Sequence, residues 1–236
     1  MPEMRMEVSQ SPEEEFEQRF RTLVHRDEWV LDAGCATGKF ASKRQAHTNH
    51  FKLAGIDVLE SVGQNGYVDF RICGNVDQLP FADDSFDVIY ARWLVEHLEH
   101  PSVAFREFHR VLKPGGRLAL FTTNLLHYYG AAAKLTPHWF HLWFNRKVRG
   151  FNEDDIFPTY YRANTRRRLD ELLLNAGFNR SGFEIALLEG APNVLAFNFV
   201  MHRFGMCYEY LVKRFESLSS FRMNLIAIAR KENSPE

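Results

Sequence analysis

The sequence predicts an α/β fold built on a doubly wound, parallel sheet. Short apolar runs flanked by turn residues alternate with helical segments along most of the chain, which is the pattern of parallel strands covered on both faces. A glycine-containing turn follows the first such run. The length of 236 residues with 45% hydrophobic side chains suits one domain with a large core. Lys plus Arg number 29 against 30 Asp plus Glu, so the net charge of −1 argues against a generic nucleic-acid partner. Cysteines 35, 73 and 207 lack the C-x-x-C spacing of a zinc site and cannot all pair, so no metal site and a reducing compartment are expected.

Residues 11–25 form a leading helix: Ser11 is its N-cap, Pro12 its first residue and Glu14 the partner of a capping box, with Phe16, Phe20, Leu23 and Val24 on one face. Strands are expected at 28–33, 52–57, 68–73, 86–90 and 117–122. Between the last two, Pro101 to Leu112 is a helix presenting Ala104, Phe105, Phe108, Val111 and Leu112, stopped by Lys113-Pro114-Gly115-Gly116. A helix over 165–176 ends at Gly177, a strand follows near 178–188, a helical insertion spans about 193–217, and 221–229 makes the seventh strand.

The N-terminal stretch is acidic where a leader would be basic and then apolar. The longest apolar stretch, Ile185 to Met201, contains Glu189, Gly190 and Pro192 and falls short of the roughly 18 residues of a membrane span. A cytoplasmic protein is expected.

The chemistry concentrates in Val30-Leu31-Asp32-Ala33-Gly34-Cys35-Ala36-Thr37-Gly38, a strand running into a glycine turn that opens a helix. Gly34 and Gly38 let backbone approach a ligand closely. Asp57 closes the next strand, 19 residues after Gly38, where a carboxylate can accept both hydroxyls of a ribose. A nucleoside-type ligand follows, although an ordinary tight turn competes with that reading. The G-x-x-x-G spacing, with Ala36 where a middle glycine might stand, departs from the dinucleotide fingerprint and disfavours a nicotinamide oxidoreductase.

Taken in order, LDAGCATG, GID, LPFADDSFDVIYA, VEHLEHP and REFHRVLKPGGRL resemble the class I S-adenosylmethionine-dependent methyltransferases, specifically the methyltransferase type 11 group. The resemblance covers residues 28–123 and implies a Rossmann-like, seven-stranded sheet, mostly parallel with an antiparallel last strand. It implies S-adenosylmethionine as cofactor: Gly34 and Gly38 beside its methionine part, Asp32 organising the loop, Cys35 within it, and Asp57 on the ribose. Asn75 stands where the group usually has an acid for the adenine amino group. An amide oxygen accepts that bond without charge, and Asp77 can help. Val76 would lie against the ring, with Ala91 and Arg92 at the methionine end. The loss of the acid at 75 and of a glycine at 36 leaves a cofactor-binding scaffold without turnover as an alternative.

Methyl transfer needs an acceptor held in line and shielded from water more than it needs a base. For a hydroxyl acceptor the candidate bases are His97, His127 and Tyr161. The insertion at 124–164 breaks the strand–helix alternation, and residues 128–161 carry ten of the chain's 33 aromatics. Eight basic residues between 134 and 168 face three acids. This aromatic, basic lid suggests an anionic small-molecule acceptor, contact with an anionic lipid surface, or a solvated rim over an aromatic minicore. A small-molecule or glycan or lipid-intermediate acceptor, methylated on oxygen or nitrogen, is the expected substrate class.

Overall fold

The computed structural model describes residues 11–38, 50–136, 157–190 and 199–233. Seven strands form one sheet: β1 (Trp29–Ala33), β2 (Lys52–Asp57), β3 (Phe70–Cys73), β4 (Phe86–Arg92), β5 (Leu112–Thr123), β6 (Phe183–Leu188) and β7 (Asn224–Arg230). Their order is β3-β2-β1-β4-β5-β7-β6. The first five run parallel, while β7 is antiparallel to both β5 and β6, as expected for the last strand. The sheet order reverses between β1 and β4, which opens a crevice at the carboxyl ends of the central strands.

Helix α1 (Pro12–Leu23) starts as its sequence dictates: Ser11 Oγ accepts from Glu14 N, and Ser11 N donates to the Glu14 carboxylate at 3.0 Å. Its apolar face lies on β4 and β5. The Phe16 ring packs 5.2 Å from both Tyr90 and Phe121, and Phe20 meets Tyr90 edge-on at 4.7 Å. Among these rings Glu17 is buried, accepting from the Tyr90 hydroxyl at 2.5 Å and lying 3.4 Å from the Arg92 guanidinium. The opposite face carries α2 (Pro101–Val111) and α4 (Arg166–Ala176), where Ala104, Phe105 and Phe108 pack with Leu169, Leu172, Leu173 and Phe178 in one core. Helix α3 (Tyr128–Leu135) follows β5, and α5 (Phe199–Arg214) lies in the second insertion.

Two elements differ from expectation. Lys113 to Gly116 is not a free turn: it is a bulged start of β5, with Phe86 opposite Leu112 and Val88 opposite Arg117. Gly115 adopts φ +77° there, its N–H donates to Lys231 O at 3.0 Å, and Lys113 Nζ lies 2.7 Å from Asp87, so the tail of β7 captures a backbone that would otherwise face water. The strand expected near 178–188 begins only at Phe183, after a 3-10 turn at Arg180–Gly182. The helix expected beyond Gly38, and the middle of the lid, lie outside the described residues. Among the described residues no helix is long and apolar enough to cross a membrane.

Glu17 and Arg92 have side chains only 3% and 6% exposed. Replacing Glu17 with Ala takes a buried carboxylate away from the Arg92 guanidinium and is expected to cost about 3–5 kcal/mol in urea unfolding. The double variant Glu17→Leu/Arg92→Met is expected to recover most of that loss. A single variant as stable as the parent would show the pair to be unimportant.

Candidate active site

The loop after β1 is held at three points. Gly34 N and Cys35 N both donate to Ile56 O, at 2.9 and 3.2 Å. Ala36 N donates to one Asp57 carboxylate oxygen at 2.9 Å, while Leu59 N donates to the other at 3.0 Å. Asn65, fully buried, donates its amide to Cys35 O and Ala36 O at 3.3 and 3.1 Å. Gly34 and Gly38 lie at φ +74° and +79°, and Ala36, at φ +44°, takes a left-handed conformation that favours glycine. A Cβ on Gly34 would press on Leu94 at 3.0 Å, and one on Gly38 would collide with the Tyr67 ring. Asp57 therefore braces the glycine loop. Asn65 was not singled out from sequence, because N-G reads simply as a turn.

The other expected cofactor residues are placed as follows. Asp32 is buried in β1, in register with Gly55 and Tyr90. Cys35 is buried, its sulfur only 2.7 Å from where a Cβ on Gly55 would stand. In the loop before β4, exposed Asn75 uses its side-chain oxygen to accept from Asp77 N at 3.0 Å, and Val76 is buried beside it. Asp77 Oδ1 is buried with no hydrogen-bond partner among the described residues, and burial pushes its carboxyl above the usual range, an effect opposed by His100 and reinforced by Glu99. Ala91 and Arg92 lie inside β4 rather than past its end. Ala91 joins the α2 and α4 core, whereas the Arg92 guanidinium turns to Glu17 under α1.

The three candidate bases fall in different settings. His97, half-buried in a 3-10 turn at Val95–His97, has Nδ1 2.8 Å from Pro158 O. A carbonyl only accepts, so Nδ1 carries a proton in this contact, and in the neutral tautomer Nε2 is the nitrogen left without one. Tyr161 is buried at φ +50°, and burial pushes its phenol well above the usual value, which makes it a donor rather than a base. His127 is the N-cap of α3: its Nδ1 accepts from Tyr129 N at 3.2 Å and Nε2 faces Glu189 at 3.6 Å. Burial pushes His127 down to about 4 and Glu189 up to about 7, so near neutrality the imidazole is uncharged.

Sequence reasoning missed Glu96. It is buried, accepts from Thr122 Oγ1 at 2.7 Å, and its backbone oxygen receives both Tyr160 N and Tyr161 N, at 2.8 and 3.2 Å. Thr122 Oγ1 in turn accepts from Asn164 Nδ2 at 2.7 Å. Burial holds the Glu96 carboxyl above its usual range, against the pull of His97 and Thr122. The available signal was a single acid inside the apolar run Trp93-Leu94-Val95-Glu96-His97-Leu98.

A seven-stranded sheet in this order, with a left-handed glycine loop at its switch point, is the class I methyltransferase fold. Residues 31–120 match the methyltransferase domain family. A malonyl-[acyl-carrier protein] O-methyltransferase of Methylococcus capsulatus is 30% identical over 179 residues, 71% of this chain and 58% of that protein. The ubiquinone/menaquinone biosynthesis C-methyltransferase UbiE of Vibrio vulnificus is 30% identical over 166 residues, 66% of this chain and 64% of that protein. The chain thus spans less than two thirds of the length of these curated relatives. A solved Haloferax volcanii complex of the Trm112 methyltransferase activator with a methyltransferase aligns at a TM-score of 0.61 and 19% identity, over 94% of this chain and 90% of that one. Residues 31–120 thus carry the methyltransferase domain, and the sheet around them has the fold of the class I S-adenosylmethionine-dependent methyltransferases.

Asp57→Ala removes the acceptors of two backbone donors, Ala36 N and Leu59 N. It is expected to weaken S-adenosylhomocysteine binding by about 10- to 100-fold in calorimetry while the fold persists, and unchanged affinity would show that Asp57 is not on the ribose. Glu189 has a folded pKa above the ordinary 4.5, so folding stability falls as pH rises from about 4.5 to about 7, where only the unfolded carboxyl is ionised. Glu189→Gln is expected to gain stability over the parent on going from about pH 5 to about pH 8 in urea unfolding. A pH-independent difference would contradict the raised pKa.

Proposed function

We propose that the chain transfers a methyl group from S-adenosylmethionine to an oxygen of a small-molecule or glycan or lipid-intermediate acceptor. The observation that carries the reading is the left-handed glycine loop braced by Asp57, on the same sheet edge as a histidine whose Nε2 is free to take a proton. When bound, S-adenosylmethionine supplies an electrophilic sulfonium methyl. The residues fit it on two counts: a Cβ at Gly34 would press on Leu94, and the orphaned, buried Asp77 Oδ1 suits an adenine amino group.

In this reading Gly34 and Gly38 admit the methionine part and Asp32 organises the loop behind them. Asp57 accepts the ribose hydroxyls. Asp77 takes the adenine amino group that Asn75, occupied in its own turn, serves less well, and Val76 lies on the ring. Ala91 lines the methionine end, and Arg92 contributes there through its backbone only, since its side chain serves Glu17. Holding the acceptor oxygen in line supplies up to about 7–11 kcal/mol. His97 Nε2 receives the acceptor's proton as the new O–C bond forms, with Nδ1–H pinned to Pro158 O so that the ring keeps the correct tautomer. Tyr161 donates to the acceptor or shields it from water. His127 shapes α3.

The relatives include enzymes named for O- and for C-methylation, and the free His97 lone pair favours an acceptor that loses a proton. The test is to measure cofactor binding by calorimetry and S-adenosylhomocysteine release with an acceptor isolated from extract. His97→Gln is expected to lower kcat by about a hundredfold to ten-thousandfold without changing cofactor affinity. Absent cofactor binding would sink the methyltransferase reading, full turnover in His97→Gln would remove the base, and binding without turnover on any acceptor would favour a scaffold.

A further inference from the structure

Beside the 3-10 turn that carries His97 lies an open cleft of about 470 Å³, formed by residues 99–102, Lys134, residues 160–162 and Arg168. Its charge is one-sided. Lys134 comes from the last turn of α3, Arg162 from the extended segment before α4, and Arg168 from the first turn of α4, and among the described lining residues the only carboxylate is Glu99. Three cations from three separate elements line one cleft, and an anion seated there would offset their like charge.

The cations are free to serve such a ligand. Lys134 has no ion pair among the described residues, and Arg168 has only an exposed contact with Glu171 at 3.1 Å on its own helix. Arg162 is fixed: its Nη1 donates to Glu99 O at 2.6 Å and its guanidinium lies over the Tyr160 ring, leaving further N–H groups of the planar fork for a bidentate acceptor. Helix α2 begins at the same cleft, and its N-cap, His100, makes no side-chain capping bond, so the positive end of the helix adds to the field. The backbone is strained to reach this arrangement. Tyr161, a bulky residue, sits at φ +50°, so that it and Tyr160 both donate to Glu96 O immediately before Arg162.

We propose that this cleft binds a doubly charged anionic group of the methyl acceptor, a phosphate monoester or a dicarboxylate. This rests on the acceptor site proposed above: residues 95–102 and 157–162 carry both the cleft and His97, joined by the bonds from Glu96 O to the tyrosine amides and from His97 to Pro158. An anion seated on Arg162 therefore anchors one end of the acceptor on the same two segments that hold the base, with Lys134 reaching it from α3.

The test is calorimetric titration of the full chain, saturated with S-adenosylhomocysteine, with inorganic phosphate and separately with malonate. The parent is compared with Lys134→Gln/Arg168→Gln, two exposed positions whose substitution spares the Arg162 anchor. At least one of the two anions is expected to bind the parent, and the double variant to bind it about tenfold or more weakly, with S-adenosylhomocysteine affinity unchanged. Tighter phosphate assigns a phosphorylated acceptor, tighter malonate a carboxylated one. Equal binding to parent and variant, or no binding of either anion to the parent, overturns the proposal. Because cofactor affinity is read in the same samples, failure of the cleft is distinguishable from failure of the methyltransferase reading.

Discussion

The functional end of this protein hangs on the Asp57 carboxylate. It stands at the end of β2, and its two oxygens hold the amides of Ala36, in the loop after β1, and of Leu59, just past β2. Two charge-assisted bonds tie neighbouring strand ends into one rigid corner. That corner lets an alanine occupy left-handed backbone at φ +44°, a conformation that disfavours any residue with a Cβ. Asn65 completes the brace from the other side by donating to the loop's carbonyls. The glycine loop is consequently shaped before any cofactor arrives, and the ordering cost of binding is correspondingly small.

Behind the site the two faces of the sheet are built differently. The α2 and α4 face is an aliphatic and aromatic core without charge. The α1 face contains Glu17 and Arg92 among Phe16, Phe20 and Tyr90, an arrangement that stabilises little in total but severely penalises loss of either partner. At the carboxyl edge polar groups take over. The Glu96–Thr122–Asn164 chain links β4, β5 and the segment entering α4, and through Glu96 O it anchors Tyr160 and Tyr161. A buried polar network of this kind fixes one geometry where an apolar contact would tolerate several.

Much of this was legible along the chain. The alternation of apolar runs and helices, the Ser11 capping box and the Gly177 stop are local signals, and each produced the element it indicated. The series of motifs from Asp32 to Gly116 pointed to the cofactor and the family. What was not legible depends on partners far away in sequence. Lys113 to Gly116 has the composition of a turn, yet it pairs with Lys231 as a bulge. Arg92 follows a strand that feeds the site, but its side chain is claimed by Glu17, 75 residues earlier.

By itself, then, the sequence determined the sheet, its covering helices, the glycine loop and the nucleoside chemistry, because periodicity, capping and turn stereochemistry act over a few residues. Only the tertiary structure decided which carbonyl or carboxylate each histidine faces, that Asp57 braces the loop, and that Lys134, Arg162 and Arg168 share one cleft. Protonation, hydrogen-bond commitment and charge convergence are properties of neighbours in space. A side chain's spacing along the chain does not reveal which carbonyl, carboxylate or ring will stand beside it once the sheet has closed.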